Sequence, residues 1–317
     1  MKSVLLAIAV LASLSVSAET LDNMKRSAEQ GDAQSQYNLG LCYFQGKGVK
    51  ADQTEAVKWF RRAAEQGNAL AQYGLGECYK EGSGVPWNWE EAKKWFRKAA
   101  EQGYVEAQYV LGRVIYTEDR RADQEAVTWL RKLAEQGHTE AQYKLASRYE
   151  TGLRLGLAVQ GDMKEAQKWY RRAVEQGALD AYYMLDAYYR LGQSYLCQED
   201  GAVYDPEEGV KWLRKAAERG DCSSQSALAI YYERGIDVPK NMEEAVKWYR
   251  QAAEQGCTSS QLSLAGCYER GEGVPKNVEE AVKWYREVVK VKFSCYNEEK
   301  KDAKAALERL GYSPEEK

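Results

Sequence analysis

Apolar and polar residues along this chain recur with a helical period and not a strand period. Leucine returns at Leu39, Leu75, Leu111, Leu145, Leu185, Leu228 and Leu264, each with a small residue four positions earlier (Ser35, Ala71, Ala107, Ala141, Ala181, Ser224, Ser260). Four positions later stands tyrosine, at Tyr43, Tyr79, Tyr149, Tyr189, Tyr232 and Tyr268, with Ile115 the exception. A stripe at i, i+4 and i+8 is one face of a helix, and its small members let a neighbour approach closely.

A second stripe is marked by Trp59, Trp95, Trp129, Trp169, Trp212, Trp248 and Trp284. Glutamate precedes each tryptophan by four positions: Glu55, Glu91, Glu125, Glu165, Glu208, Glu244 and Glu280. Three positions before that glutamate comes Asp52, Asn88, Asp162, Asp205, Asn241 or Asn277, with Ala122 the departure. The pair predicts a capping box: the Asp or Asn oxygen accepts a first-turn N–H, and Glu reaches back to the cap residue.

The two stripes alternate, and each pair closes on AEQG or a near copy. The glycines are Gly31, Gly67, Gly103, Gly137, Gly177, Gly220 and Gly256, spaced by 36, 36, 34, 40, 43 and 36 residues. Such a period suits two helices of about 12–14 residues and two turns. The expectation is an all-α, right-handed α/α superhelix of about seven helix pairs, held by contacts between neighbours alone. The extra residues of the two stretched copies are expected between helices, in Thr151–Leu157 and from Ser194 to Tyr204. Between the helices stand GxG turns such as Gly46-Lys47-Gly48 and Gly82-Ser83-Gly84. They follow a helix and recur once per copy, so tight reversal explains them better than a phosphate cradle.

The unit LGxxYxxGxGVxxDxxEAxxWYRxAAEQG resembles the Sel-one-like repeat, a cousin of the tetratricopeptide repeat. The resemblance spans roughly residues 24–290 and implies a scaffold or adaptor for protein complexes. It also implies an alternative, because some exported, cysteine-rich bacterial relatives bind or hydrolyse β-lactams. Those relatives carry a cysteine pair within each repeat. Here Cys42, Cys78 and Cys267 hold the first-helix place without a second-helix partner.

The N-terminus is different in kind. A short basic start, an apolar run from Val4 to Leu14 and the small residues Val16-Ser17-Ala18 read as a signal peptide over residues 1–18. The run is too short for a transmembrane helix, so no anchor is expected after cleavage and the mature chain is periplasmic or secreted. The repeats are then assigned to residues 19–290, and a capping helix with a tail to 291–317. Lys and Arg number 45 against 48 Asp and Glu, a net charge of −3, which supplies no basic surface for nucleic acid. The seven cysteines and the single histidine, His138, form no metal-ligand spacing, and no cofactor is expected.

No Ser-x-x-Lys or Lys-Thr-Gly motif occurs, so the scaffold reading is preferred to a β-lactam or peptidoglycan-fragment hydrolase. The partner is then a protein or peptide. Positions three, seven and eleven after each glycine are expected to face it, reading Leu70, Gly74, Cys78 in the second copy. They read Glu140, Lys144, Arg148 in the fourth and Asp180, Met184, Tyr188 in the fifth. Lys144, Met184 and Tyr188 are the candidate anchors. Trp87 and Trp89 lie outside the repeat pattern, either as further anchors or as padding of a loop.

Overall fold

The computed structural model describes residues 18–113, 120–155, 161–196, 202–291 and 297–314. The expected signal segment up to Ser17, and Ile115, Cys197 and Cys295, lie outside the described residues. Within them the chain is all-α, with sixteen helices and no strand.

Two compact units divide the chain, the first ending at Ala141 and the second starting at Gln142. The first holds α1 (Ala18–Glu29), α2 (Ala33–Gln45), α3 (Gln53–Glu65), α4 (Ala69–Glu81), α5 (Trp89–Glu101), α6 (Val105–Gly112) and α7 (Arg120–Glu135). The division falls in the first turn of α8 (Thr139–Leu155). The second unit continues with α9 (Met163–Gln176), α10 (Ala181–Leu196), α11 (Pro206–Glu218), α12 (Cys222–Arg234) and α13 (Met242–Glu254). It ends in α14 (Thr258–Arg270), α15 (Val278–Lys290) and α16 (Asn297–Arg309). In each unit successive helices pack on one another, and α16 also touches α14.

The core follows the two stripes. Leu39, Leu75, Leu145, Leu228 and Leu264 are buried, as are Trp59, Trp95, Trp169, Trp212 and Trp248. The residue after each tryptophan is a large apolar group that packs where the partner helix carries glycine or alanine. A Cβ on Gly40 would come within 2.7 Å of the Phe60 ring, and one on Gly76 within 2.6 Å of Phe96. Where that group is tyrosine, the facing helix supplies a carboxylate for its hydroxyl. Tyr170 donates to Glu150 at 2.8 Å, Tyr249 to Glu233 at 2.7 Å and Tyr285 to Glu269 at 2.7 Å.

Half of the expected capping box forms. Asp52 accepts the Glu55 N–H at 3.0 Å, and Asn88, Asp162, Asp205, Asn241 and Asn277 repeat the bond. In five of the six the returning arm has no donor, because a carbonyl already takes the cap N–H. Asp52 donates it to the Tyr43 carbonyl at 2.8 Å, as Asn88 does to Tyr79 and Asn277 to Tyr268. The glutamates serve other donors instead. Glu165 accepts from the Trp169 indole at 2.9 Å and from Lys168 at 2.7 Å, and Glu208 does the same for Trp212 and Lys211.

The same tyrosine-to-cap bond corrects the register of the fifth copy. Asp205 donates to the carbonyl of Tyr195, not of Tyr189. Leu191 is fully buried while Leu185 is only partly so, and a Cβ on Gly192 would meet Leu213 at 2.7 Å, as Gly40 meets Phe60. Leu191-Gly192-x-x-Tyr195 is therefore the repeat motif, six residues later than expected. Most of the extra length lies before this motif, at the start of α10, and one residue lies after Tyr195. In the fourth copy α8 runs on to Leu155, so part of the added length is helical.

A buried glutamine in the first helix ties successive copies together. Gln36, Gln72, Gln108, Gln225 and Gln261 each donate to a carbonyl eight residues earlier (Ala28, Ala64, Ala100, Ala217, Ala253). Gln36, Gln72 and Gln225 also accept from the glutamine of a following AEQG, Gln66, Gln102 and Gln255, at 2.7 Å each. Each carbonyl so bonded lies in the last turn of a helix, where intrahelical partners run out.

Candidate functional site

The expected ligand-facing series is apolar in the second copy, and there the structure opens a cleft. Leu70, Gly74 and Cys78 of α4 face Tyr37, Leu41 and Phe44 of α2 across a narrow apolar cleft of ≈ 30 Å³, floored by Phe60. Gly74 keeps it open: a Cβ there would touch only the edges of Phe60 and Tyr37, at 4.0 Å. Glu77 and Glu81 stand on its wall, Glu77 buried and paired with Lys80 at 2.8 Å. The cleft is thus an apolar slot with carboxylates beside it.

In the second unit the matching repeat positions and their neighbours are aromatic and charged. Lys144 of α8 sets its ammonium 4.5 Å over the Tyr183 ring and 5.3 Å over that of Tyr143. Tyr182 of α10 is 76% exposed and meets Tyr183 edge-on at 5.7 Å. Beneath them Asp186 accepts from Arg190 at 2.6 Å and from the Tyr143 hydroxyl, and Arg190 reaches Glu150 at 2.9 Å. Burial raises the Tyr143 hydroxyl well above its ordinary pKa, and Asp186 adds to that. Burial works against the Arg190 charge, but Tyr170, Glu150 and Asp186 outweigh it and hold its pKa above the ordinary value. The floor is therefore an ionic network, with the aromatic rings above it.

The other candidates separate. Met184 is half-buried. Tyr188 does not face outward: it is buried and stacked on Trp212 at 5.6 Å, with the Arg219 guanidinium 5.1 Å from its ring. It takes the place of the repeat glutamine, and Arg219 takes that of the AEQG glutamine, so the six-residue register error explains the misplacement. The eleventh position fails more widely, since Cys42, Cys78 and Arg148 are also buried. Trp87 is 68% exposed, whereas Trp89 is half-buried and tilts against Phe96 at 6.2 Å. His138 serves a helix start: its Nδ1 accepts the Ala141 N–H at 3.2 Å and its ring stacks on Tyr109.

Sequence reasoning did not single out Tyr37, Phe44, Tyr73, Tyr143 or Arg190. The signal for the first three was aromatic excess on α2 and α4 beyond what the stripe needs. Among the described residues no cluster of three or more His, Cys, Asp and Glu side chains is placed to hold a metal ion. No helix among them is long and apolar enough to cross a membrane.

The repeat boundaries drawn from packing coincide with a family model. The Sel1 repeat model matches residues 33–68, 69–104, 105–138, 139–177, 185–221, 222–257 and 258–287. The chain belongs to the Sel1 repeat family. The fifth match starts at 185, which is the corrected register. Sel1 repeats are in general scaffolds for protein–protein contacts.

A Sel1 repeat protein from Oxalobacter formigenes is 32% identical over 95% of this chain and 84% of its own, with a TM-score of 0.61. A protective antigen of uropathogenic Escherichia coli displaying an SLR fold is 27% identical over 97% of this chain and 81% of its own, with a TM-score of 0.47. No curated protein matches this Sel1 repeat chain.

Proposed function

We propose that this chain is an exported scaffold of the bacterial cell envelope that binds a protein or peptide along its first helices. The observation that carries the reading is the α2–α4 cleft. A folded repeat has no packing need for an open apolar slot, and Gly74 leaves a narrow one in which an added Cβ meets only ordinary contacts at 4.0 Å. A partner supplies an apolar side chain to the slot and a basic group to the exposed Glu81. The aromatic platform of Tyr143, Tyr182 and Tyr183 offers a second anchoring area, of the residue type that dominates interface energetics.

Export rests on the pattern from Met1 to Ala18. Cleavage after Ala18 keeps Leu21 and Ala28 of α1, which pack on α2 and carry the first inter-repeat bond.

The test has two arms. The first is fractionation of native cells with N-terminal sequencing, which should return a periplasmic or secreted chain starting at Glu19. The second places a photo-reactive side chain at Leu70 and identifies what it links. One linked protein, lost when Gly74 is replaced by leucine, supports the reading. Label on the same proteins with and without that replacement contradicts it.

A further inference from the structure

The second unit brings two cysteines of neighbouring repeats together. Cys222 opens α12 and Cys257 stands at the cap position of α14, the place held by Asp32, Asn68 and Asp221 in three other copies. Both are thiols and both are partly exposed. Ser226 lies one turn after Cys222 on the same face of α12, and its hydroxyl is 3.2 Å from the Cys257 sulfur, which sets the two cysteines side by side. No other copy repeats the juxtaposition: the matching pairs are Ala33 with Asn68, Ala69 with Tyr104 and Val105 with His138.

The surroundings favour reaction at one of the two. The Cys257 sulfur lies 3.2 Å from the Ser226 hydroxyl and 3.7 Å from that of Ser259. Burial pushes its thiol up, but the hydroxyls of Ser226, Ser259 and Ser260 outweigh that and hold it below its ordinary pKa. Cys222 is raised, by burial first and by Cys257 next. The remaining described cysteines are inert by comparison. Burial pushes Cys78 up to about 12 and Cys267 up to about 11, and raises Cys42 as well. Cys257 also lines an open cleft with Ser223, Ser226 and Ser259, which gives a reagent its approach.

We propose that Cys222 and Cys257 are a thiol–disulfide exchange pair that closes a reversible staple between two successive repeats. The co-reactant is an external disulfide, either small or carried by a protein. The Cys257 thiolate attacks one sulfur of that disulfide, forming a mixed disulfide and releasing the other half as thiolate. Cys222 then gives up its proton to solvent and attacks the Cys257 sulfur. The second half leaves as thiolate, and the chain is oxidised by two electrons as the external disulfide is reduced to two thiols. The staple joins one first helix to the next, unlike a bridge between the two helices of one repeat. It stands independently of the binding reading, because it concerns a different surface and needs no partner protein.

The test uses the full chain and oxidised glutathione. After equilibration near pH 8, digestion without reductant and mass spectrometry should yield a peptide linking Cys222 to Cys257, lighter by the two lost hydrogens. Cys222→Ser should hold glutathione on Cys257, since the second attack is gone. Cys257→Ser should leave Cys222 modified about tenfold more slowly than Cys257 is in the companion variant. A Cys222→Ala variant and a melting curve for each protein separate exchange chemistry from misfolding. Recovery of both cysteines as thiols in the oxidised wild-type chain overturns the proposal. Separate glutathione adducts on the two, or a link from Cys257 to Cys267, overturn it equally.

Discussion

Tyr170 is fully buried and donates its hydroxyl to Glu150 at 2.8 Å, and the same carboxylate oxygen accepts Arg190 at 2.9 Å. The bond joins α9 to α8 beneath the aromatic platform. Removing one partner from a buried polar contact costs about 1–3 kcal/mol, because the other loses its bond and regains no water. Tyr170→Phe should therefore lower stability by about that amount in denaturant titration, with the slope unchanged. Adding Glu150→Gln should cost less than the sum of the two single changes.

Two glycines of α4 should respond in opposite directions to the same substitution. A Cβ on Gly76 meets the Phe96 ring at 2.6 Å, inside a packed core. Gly76→Ala should destabilise by about 1–3 kcal/mol through overpacking. A Cβ on Gly74 has ordinary contacts only, and alanine is the better helix former by about 0.5–1 kcal/mol. Gly74→Ala should thus raise the melting temperature. Equal effects at both sites would contradict the placement of α4 against α5.

Docking of the C-terminal helix should weaken in acid. Burial raises the Glu269 pKa, but hydrogen bonds from Tyr285 and Arg309 outweigh it and the net shift is downward. A carboxylate depressed in the folded state contributes stability above its unfolded pKa of roughly 4.3 and loses it as pH falls through the folded value. Amide exchange in α16 should therefore accelerate below roughly pH 4. Glu269→Gln should remove that pH dependence, leaving α16 equally protected at either pH.

Periodicity made most of this fold legible. The leucine, tryptophan and cap positions named a helix pair directly, because each has a steric or hydrogen-bonding reason to recur. The fifth copy failed for a physical reason: Leu185 with Tyr189 and Leu191 with Tyr195 both satisfy the four-residue spacing. Only the second has the glycine that Leu213 packs against, and Gly192 was the available signal. The glutamine bonds were missed because a buried polar side chain reads as surface until its carbonyl partner is seen. The cleft was legible only in part. Leu70 and Gly74 announced an unusual second copy, but the open space depends on how α2 and α4 pack.

The face assignment also carries a prediction of its own. Tyr182 and Lys144 belong to the proposed partner-binding surface, whereas Tyr188 stacks on Trp212 inside the fold. Tyr182→Ala should weaken binding without altering the melting curve. Tyr188→Ala should lower stability by about 3–5 kcal/mol, as truncation of a buried aromatic does.

Affinity of the purified partner for the Gly74→Leu chain tests the central claim most directly. Leucine projects into the α2–α4 slot from a helix position where its Cβ meets only ordinary contacts, and a melting curve of the same chain checks that folding is intact. Binding should fall by about tenfold or more with the melting temperature unchanged or raised, as for loss of a central interface anchor. Wild-type affinity in a chain whose slot is filled would contradict the account and take the partner off this face.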